Sequence, residues 1–181
     1  MKKLVVLAVC LVAFVVNSYA QSKFKGEKGV SSVGVIAGHA IRSKAPTIGV
    51  DYRYNIMDNV RLAPSLMYTF ENDYTSTFYA NADAHYLARI TDKVTIYPLA
   101  GIGLSLWKQD VFNIGDLDDL EDLFKGKLES ETKPRVGLNL GFGGEMRVTK
   151  DVLVGAEFRY NLTTERFYDQ AMLLVRAAYY F

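Results

Sequence analysis

Ile56-Met57-Asp58-Asn59-Val60-Arg61-Leu62 returns twice along the chain, as Ile90-Thr91-Asp92-Lys93-Val94-Thr95-Ile96 and as Val148-Thr149-Lys150-Asp151-Val152-Leu153-Val154. Each copy sets a short polar turn between two runs of alternating character, the pattern of a tight β-hairpin. The repeat valines stand at 60, 94 and 152, so the spacings are 34 and 58 and the second unit is longer by 24 residues. The repeating unit is a hairpin, and its longer copy carries one inserted loop.

Working outward from these turns, residues from 30 onward alternate with a period of two, which marks strands with two different faces. Eight strands are predicted, at about 30–41, 47–56, 60–70, 76–89, 94–107, 135–148, 152–162 and 170–181. Three short turns lie on one side. Four connections lie on the other, at about 42–46, 71–75, 108–134 and 163–169. Short turns on one side and variable loops on the other are how outer-membrane barrels are built. Spanning strands need about 9–11 residues each, so eight fit in the chain and the sixteen of a general-diffusion porin do not.

The amino terminus carries an export address. Lys2-Lys3, the apolar run Leu4–Val16 and the small-x-small site Ser18-Tyr19-Ala20 follow in signal-peptide order. Removing 20 of 181 residues leaves 161, of which 21–29 read as a flexible polar leader and 30–181 as the barrel domain. Cys10 is the single cysteine and falls inside the signal, so the mature chain is expected to have no disulfide, thiol nucleophile or thiolate metal site. Lys+Arg number 21 against 20 Asp+Glu, a balance that gives no basic pull toward nucleic acid. No apolar run after residue 20 is long enough for a helical span.

One strand face carries Val33, Val35, Ile48, Val50, Leu62, Leu66, Ile102, Leu104, Leu138, Leu140, Val154 and Val175, with no charge in the set. The other carries Asp51, Arg53, Arg61, Asp83, His85, Arg89, Arg135, Glu145, Arg147, Glu157, Arg159 and Arg176. A soluble barrel would turn the charges to water, a membrane barrel to the lumen. Two features favour the lumen. Gly34, Gly38, Gly49, Gly101, Gly103, Gly137, Gly141, Gly143 and Gly155 share the charged face, where glycine weakens a strand without benefit to a solvated surface but makes room in a narrow interior. Aromatics on the apolar face gather at the strand ends: Tyr52, Tyr54, Tyr86, Tyr179 and Phe181 near the short turns, and Tyr68, Phe70, Phe78, Phe158 and Tyr160 near the loops. In hydrocarbon every strand N–H and C=O needs a partner, which only closure supplies. Pro64 and Pro98 interrupt that ladder, and bulges or unpaired positions are expected there.

The signal peptide, the repeated hairpins and the last strand ending Ala-Ala-Tyr-Tyr-Phe resemble the small outer-membrane β-barrel ("porin family") proteins of Gram-negative envelopes, over residues from about 30 to 181. The pattern Val175, Ala177, Tyr179, Phe181 is similar to the signal that the β-barrel assembly machinery recognises in that family. The resemblance implies an all-β, eight-stranded antiparallel up-and-down transmembrane barrel in the outer membrane, surrounded by lipid and lipopolysaccharide. The family has no shared activity, so the fold does not give the function.

The inner charges read as an ion-pair network that fills the lumen, since isolated buried charges are costly and paired ones are tolerated. Glu145 is expected to pair with Arg159 or Arg176 on neighbouring late strands and to anchor the plug, and a rearrangement of such pairs would make a gate. His85 points inward beside Asp83 and is expected to join the network. His39 near the loop rim, with Ser43 close in sequence, is the sole hint of a lipid-modifying enzyme. The loop 108–134 holds Asp116, Asp118, Asp119, Glu121 and Asp122, and Leu117, Leu120 and Phe124 recur at helical spacing, so 116–124 is predicted as a short amphipathic helix. This loop is the candidate binding element for an extracellular protein or divalent cations. No calcium-loop motif, metal cluster or cofactor site is expected. The reading is a non-enzymatic envelope protein of structural or surface-interaction role with a mostly closed lumen. A narrow channel for small solutes and an outer-leaflet lipid-modifying enzyme are the alternatives.

Overall fold

The computed structural model describes residues 28–72, 75–111, 129–164 and 168–181. The predicted signal peptide 1–20, most of the predicted leader and the acidic stretch that includes Asp116, Asp118, Asp119, Glu121 and Asp122 lie outside the described residues, as does the helix predicted over 116–124. The strands are β1 (Ser31–Ala40), β2 (Ala45–Asn55), β3 (Val60–Asn72), β4 (Thr75–Tyr86), β5 (Ala88–Arg89), β6 (Val94–Val111), β7 (Glu129–Arg147), β8 (Val152–Thr163) and β9 (Gln170–Tyr180). β5 is the end of β4 resumed after Leu87. Both pair with β6 in one register, His85 opposite Leu99 and Ala88 opposite Ile96, so the wall has eight staves.

Every neighbouring pair is antiparallel, β9 pairs with β1, and β4 pairs with β6, so the sheet closes on itself with no free edge. Closure satisfies the backbone where no water can. The repeated sequence forms the same turn physically in two of its copies. The Thr91 hydroxyl accepts from the N–H groups of Lys93 and Val94 at 3.2 and 3.0 Å. Thr149 accepts from Asp151 and Val152 at 3.3 and 3.1 Å. The first copy has Met57 at that place, and there Asp58 accepts from the backbone N–H of Lys28 instead, at 3.2 Å. With Gly29 also donating to the Asn55 carbonyl at 2.8 Å, the chain is fastened to the barrel from Lys28, two residues before the predicted start of the barrel domain.

Both prolines leave gaps in the ladder without shifting it. The β2–β3 register runs from Asp51 opposite Ser65 to Tyr54 opposite Leu62, and the pairing lapses where Pro64 lacks its donor. Pro98 faces the break between β4 and β5. Neither position carries a bulge; the register shift in β3–β4 falls instead between Thr69 and Asn72.

The largest departure from the sequence reading is in the loop predicted at 108–134. β6 runs on to Val111 and β7 begins at Glu129, paired with each other, so the ladder extends well past the expected ends. The backbone pairing continues there beyond the residues whose alternation marks a strand in the sequence.

The two faces separate by parity. Val35, Ile102, Val136, Leu138 and Phe142 are among the outward side chains, with Val35 61% exposed, whereas Arg53 and Asp83 are 3% and 2% exposed. Outward aromatics meet in pairs, Tyr68 with Phe70 edge to face at 5.4 Å and Tyr179 stacked with Phe181 at 6.4 Å. Phe158 is the exception to the predicted girdles. It lies mid-strand, 5.6 Å from Phe142 in the aliphatic band.

Candidate functional site

The lumen gathers the chemistry. Strand parity aims Asp51 and Arg53 of β2, Arg61 of β3, Asp83 of β4, Glu145 of β7, Glu157 and Arg159 of β8 and Arg176 of β9 into a space barely wide enough for side chains. Arg53 is the hub. Its Nε donates to Asp51 at 2.7 Å, Nη1 to the Tyr97 hydroxyl at 2.9 Å and to Glu145 at 3.2 Å, and Nη2 to Glu157 at 3.1 Å. One planar guanidinium therefore ties β2 to the opposite side of the wall at three points.

Around the hub each charge has its counterpart. Arg61 forks onto Glu145 with bonds of 2.8 and 2.6 Å. Arg159 lies 2.8 Å from Asp83 and donates to Glu157 at 2.9 Å. Arg176 donates to Asp51 at 2.7 Å and to the Ser32 hydroxyl at 3.0 Å. Four guanidinium groups thus face four carboxylates, the condition under which charges are tolerated out of water. Glycines make the room. A Cβ on Gly34 would sit 2.7 Å from Asp51 Oδ1 and 2.8 Å from Arg176 Nε, and one on Gly143 would meet the Tyr97 ring at 2.6 Å.

The pairing of Glu145 with Arg159 or Arg176 does not occur. Glu145 binds Arg61 and Arg53 across the lumen instead. His85 is buried in the lumen but outside the hydrogen-bonded set. Its ring lies flat on Tyr97 at 4.5 Å and 4°, and neither ring nitrogen has a hydrogen-bond partner. Arg135 and Arg147 stand at the two ends of the interior. Arg135 packs over the Tyr168 ring at 3.4 Å and Arg147 over Tyr180 at 4.6 Å. Arg89 donates to the Asp58 carbonyl at 2.7 Å. His39 projects outward from the wall and Ser43 meets the Gln170 amide, so the two are not brought to a common site. Val175, Ala177, Tyr179 and Phe181 all face outward on the last strand.

Sequence reasoning missed three groups. Tyr97 donates its hydroxyl proton to Glu157 at 3.0 Å while accepting from Arg53. A chain of amides runs from Asn161 to Asn139 at 2.7 Å and on to Asn81 and Asp83 at 2.9 and 2.8 Å. Nearer the loop side, Ile36, Ala40, Met67, Tyr79, Met172 and Leu174 form an apolar cluster inside the barrel. All share the inward parity of the charged residues, the one signal that could have found them.

The family described as "Outer membrane protein beta-barrel domain" matches residues 6–181. No match was found among curated proteins. Among solved structures, the N-terminal β-barrel domain of Pseudomonas aeruginosa OprF matches with a TM-score of 0.62 and 16% identity, over 87% of this chain and 100% of that one. Ail, the attachment invasion locus protein of Yersinia pestis, solved in complex with the heparin analogue sucrose octasulfate, matches at 0.58 and 19%, over 86% and 100%. Neisserial surface protein A matches at 0.55 and 16%, over 87% and 98%. At such identities these structures share the fold. The match that covers nearly the whole sequence, on a closed antiparallel barrel with greasy outside and ionic inside, makes this chain a member of the outer membrane protein β-barrel domain family.

Proposed function

We propose that this protein is a non-enzymatic outer-membrane barrel with a sealed interior, serving the envelope as a structural element and as a platform for surface interaction. The observation that carries the reading is the double obstruction of the lumen. The Arg53 hub joins opposite walls, and the apolar cluster of Ile36, Met67, Tyr79, Met172 and Leu174 lies toward the loop side. An ion would have to break charge-assisted bonds and then cross an apolar layer, each unfavourable.

The test is planar-bilayer conductance of the purified, folded barrel. Wild-type protein is expected to be silent. Resolved, reproducible current steps from the wild type would overturn the sealed reading in favour of a narrow channel. Glu145→Ala serves as the companion variant: if it alone conducts, the ion pairs are what close the pore.

The acidic residues Asp116, Asp118, Asp119, Glu121 and Asp122 are proposed as the surface-interaction element, with an extracellular protein or divalent cations as partners. Their charge and their place between β6 and β7, on the side away from the short turns, support this. Lipopolysaccharide and lipid are the proposed surroundings of the outward face. The pattern Val175, Ala177, Tyr179, Phe181 is the proposed recognition signal for the barrel-assembly machinery.

A further inference from the structure

Across β7, β8, β9 and β1 the outward wall is concave. One hollow of about 670 Å³ runs from Val94 and Met146 past Val154 and Ala177 to Val35. A second of about 470 Å³ lies against Phe142, Phe158 and Leu173, and the two meet at Gly144 and Val175. Both volumes fall in the range of clefts that take small molecules, roughly 300–1,000 Å³. The register explains the depression. Gly144 stands opposite Ala156 and Val175 opposite Ala37, so small side chains recur along one row of the wall. Gly144 is also an observation in its own right. A Cβ there would meet nothing closer than Ile96 at 3.8 Å, whereas on every glycine of the charged face it would come within 2.8 Å of a neighbour. The register runs through Gly144 without a shift on either side, so no bulge calls for it. A strand glycine with neither reason marks a place where a ligand or another backbone comes close.

Charge at the rim selects the ligand. The first hollow begins at Val94, and the two turns beside it carry Asp92-Lys93 and Lys150-Asp151, all four exposed. The turns adjoin, since the Arg147 N–H donates to the Lys93 carbonyl at 2.8 Å. An apolar hollow that ends on charges of both signs complements a lipid whose headgroup carries both. We propose that this stretch of wall holds one diacyl phospholipid with a phosphoethanolamine headgroup, drawn from the leaflet on the short-turn side. Its two chains lie in the two hollows and pass closest to the backbone at Gly144. Its phosphate meets Lys93 and Lys150, and its ammonium meets Asp92 and Asp151. Such a site requires the outward wall to face hydrocarbon, as proposed above, and it sets one retained molecule apart from the surrounding lipid.

The experiment is native mass spectrometry of the full folded barrel, released from detergent micelles after titration with dioleoyl phosphatidylethanolamine, dioleoyl phosphatidylglycerol or lipopolysaccharide. One phosphatidylethanolamine per barrel is expected to be retained saturably, and phosphatidylglycerol to be lost. Gly144→Leu fills the floor of the hollows and is expected to abolish the adduct. Should it fail to fold, Lys150→Gln in the exposed turn takes its place, with a weakening in the same direction. Ala82→Leu, outward on β4 and away from the hollows, is expected to keep the adduct. No saturable adduct, equal retention of phosphatidylglycerol, saturation by lipopolysaccharide alone, a barrel dimer in place of the lipid complex, or an adduct unchanged in the folded variant would overturn the proposal. Insertion into phosphatidylethanolamine vesicles separates the two possible failures. A barrel that inserts yet retains no lipid loses this site alone, whereas one that does not insert loses the membrane reading and the site together.

Discussion

Glu145 accepts from two guanidinium groups that belong to β2 and β3 on the far side of the barrel, so its removal is felt across the lumen. Glu145→Gln leaves the buried Arg61 without its charge partner. The expected loss is about 3–5 kcal/mol, the cost of breaking one half of a buried pair, read as a lower urea midpoint for the folded band on unheated gels. Adding Arg61→Gln should recover part of that loss, and a double mutant no better than the single would contradict the pairing. Glycines give a second contrast. A methyl group on Gly38 would run into the Leu173 carbonyl of the next strand, whereas one on Gly144 would meet nothing closer than Ile96 at 3.8 Å. Gly38→Ala is therefore expected to reduce the yield of folded barrel sharply and Gly144→Ala to leave it unchanged, by the same gel assay. Which way a residue points was legible from parity at nearly every position. Which residue it touches was not, as Glu145 and Tyr97 show, because partners across a closed ring are far apart in sequence and share no spacing rule.

At the scale of the elements, the turns were the most legible feature, since Thr91 and Thr149 build the same capped hairpin from the same local sequence. Strand ends were least legible where they leave the membrane. Lys108 to Val111 and Glu129 to Lys133 remain paired although nothing in their order of polar and apolar residues marks a strand. The pairing makes a prediction. Joining β6 to β7 by deleting 113–127 and bridging with a short glycine-containing turn keeps Val111 opposite Glu129, so the barrel should still fold and migrate as a compact band before heating. A loss of that band would show that the deleted stretch is needed for folding and is more than a connector.

At the scale of the whole molecule the decisive feature is the outward apolar wall. Leu138 stands 58% exposed on a strand flanked by Ile102 and Leu162, which no water-facing sheet would tolerate in such number. Leu138→Arg is expected to destabilise the barrel in bilayers by about 2–4 kcal/mol, and Val148→Arg, in a short turn, by about 0–1 kcal/mol. Equal effects in a denaturant titration from lipid vesicles would mean that the hydrocarbon does not lie where the wall says. The overall architecture was legible because a membrane imposes one period and one sign on every strand. The lumen was less so, since its occupants need only fill space and cancel charge.

The join between β1 and β9 has a consequence for how the protein is made. Ser31 and Phe181 exchange a reciprocal pair of backbone bonds, each 2.8 Å, so the first stave is fastened to the residue just past the last one. The cylinder cannot close until β9 has been made, and every intermediate that lacks it exposes two raw edges that other chains could pair with.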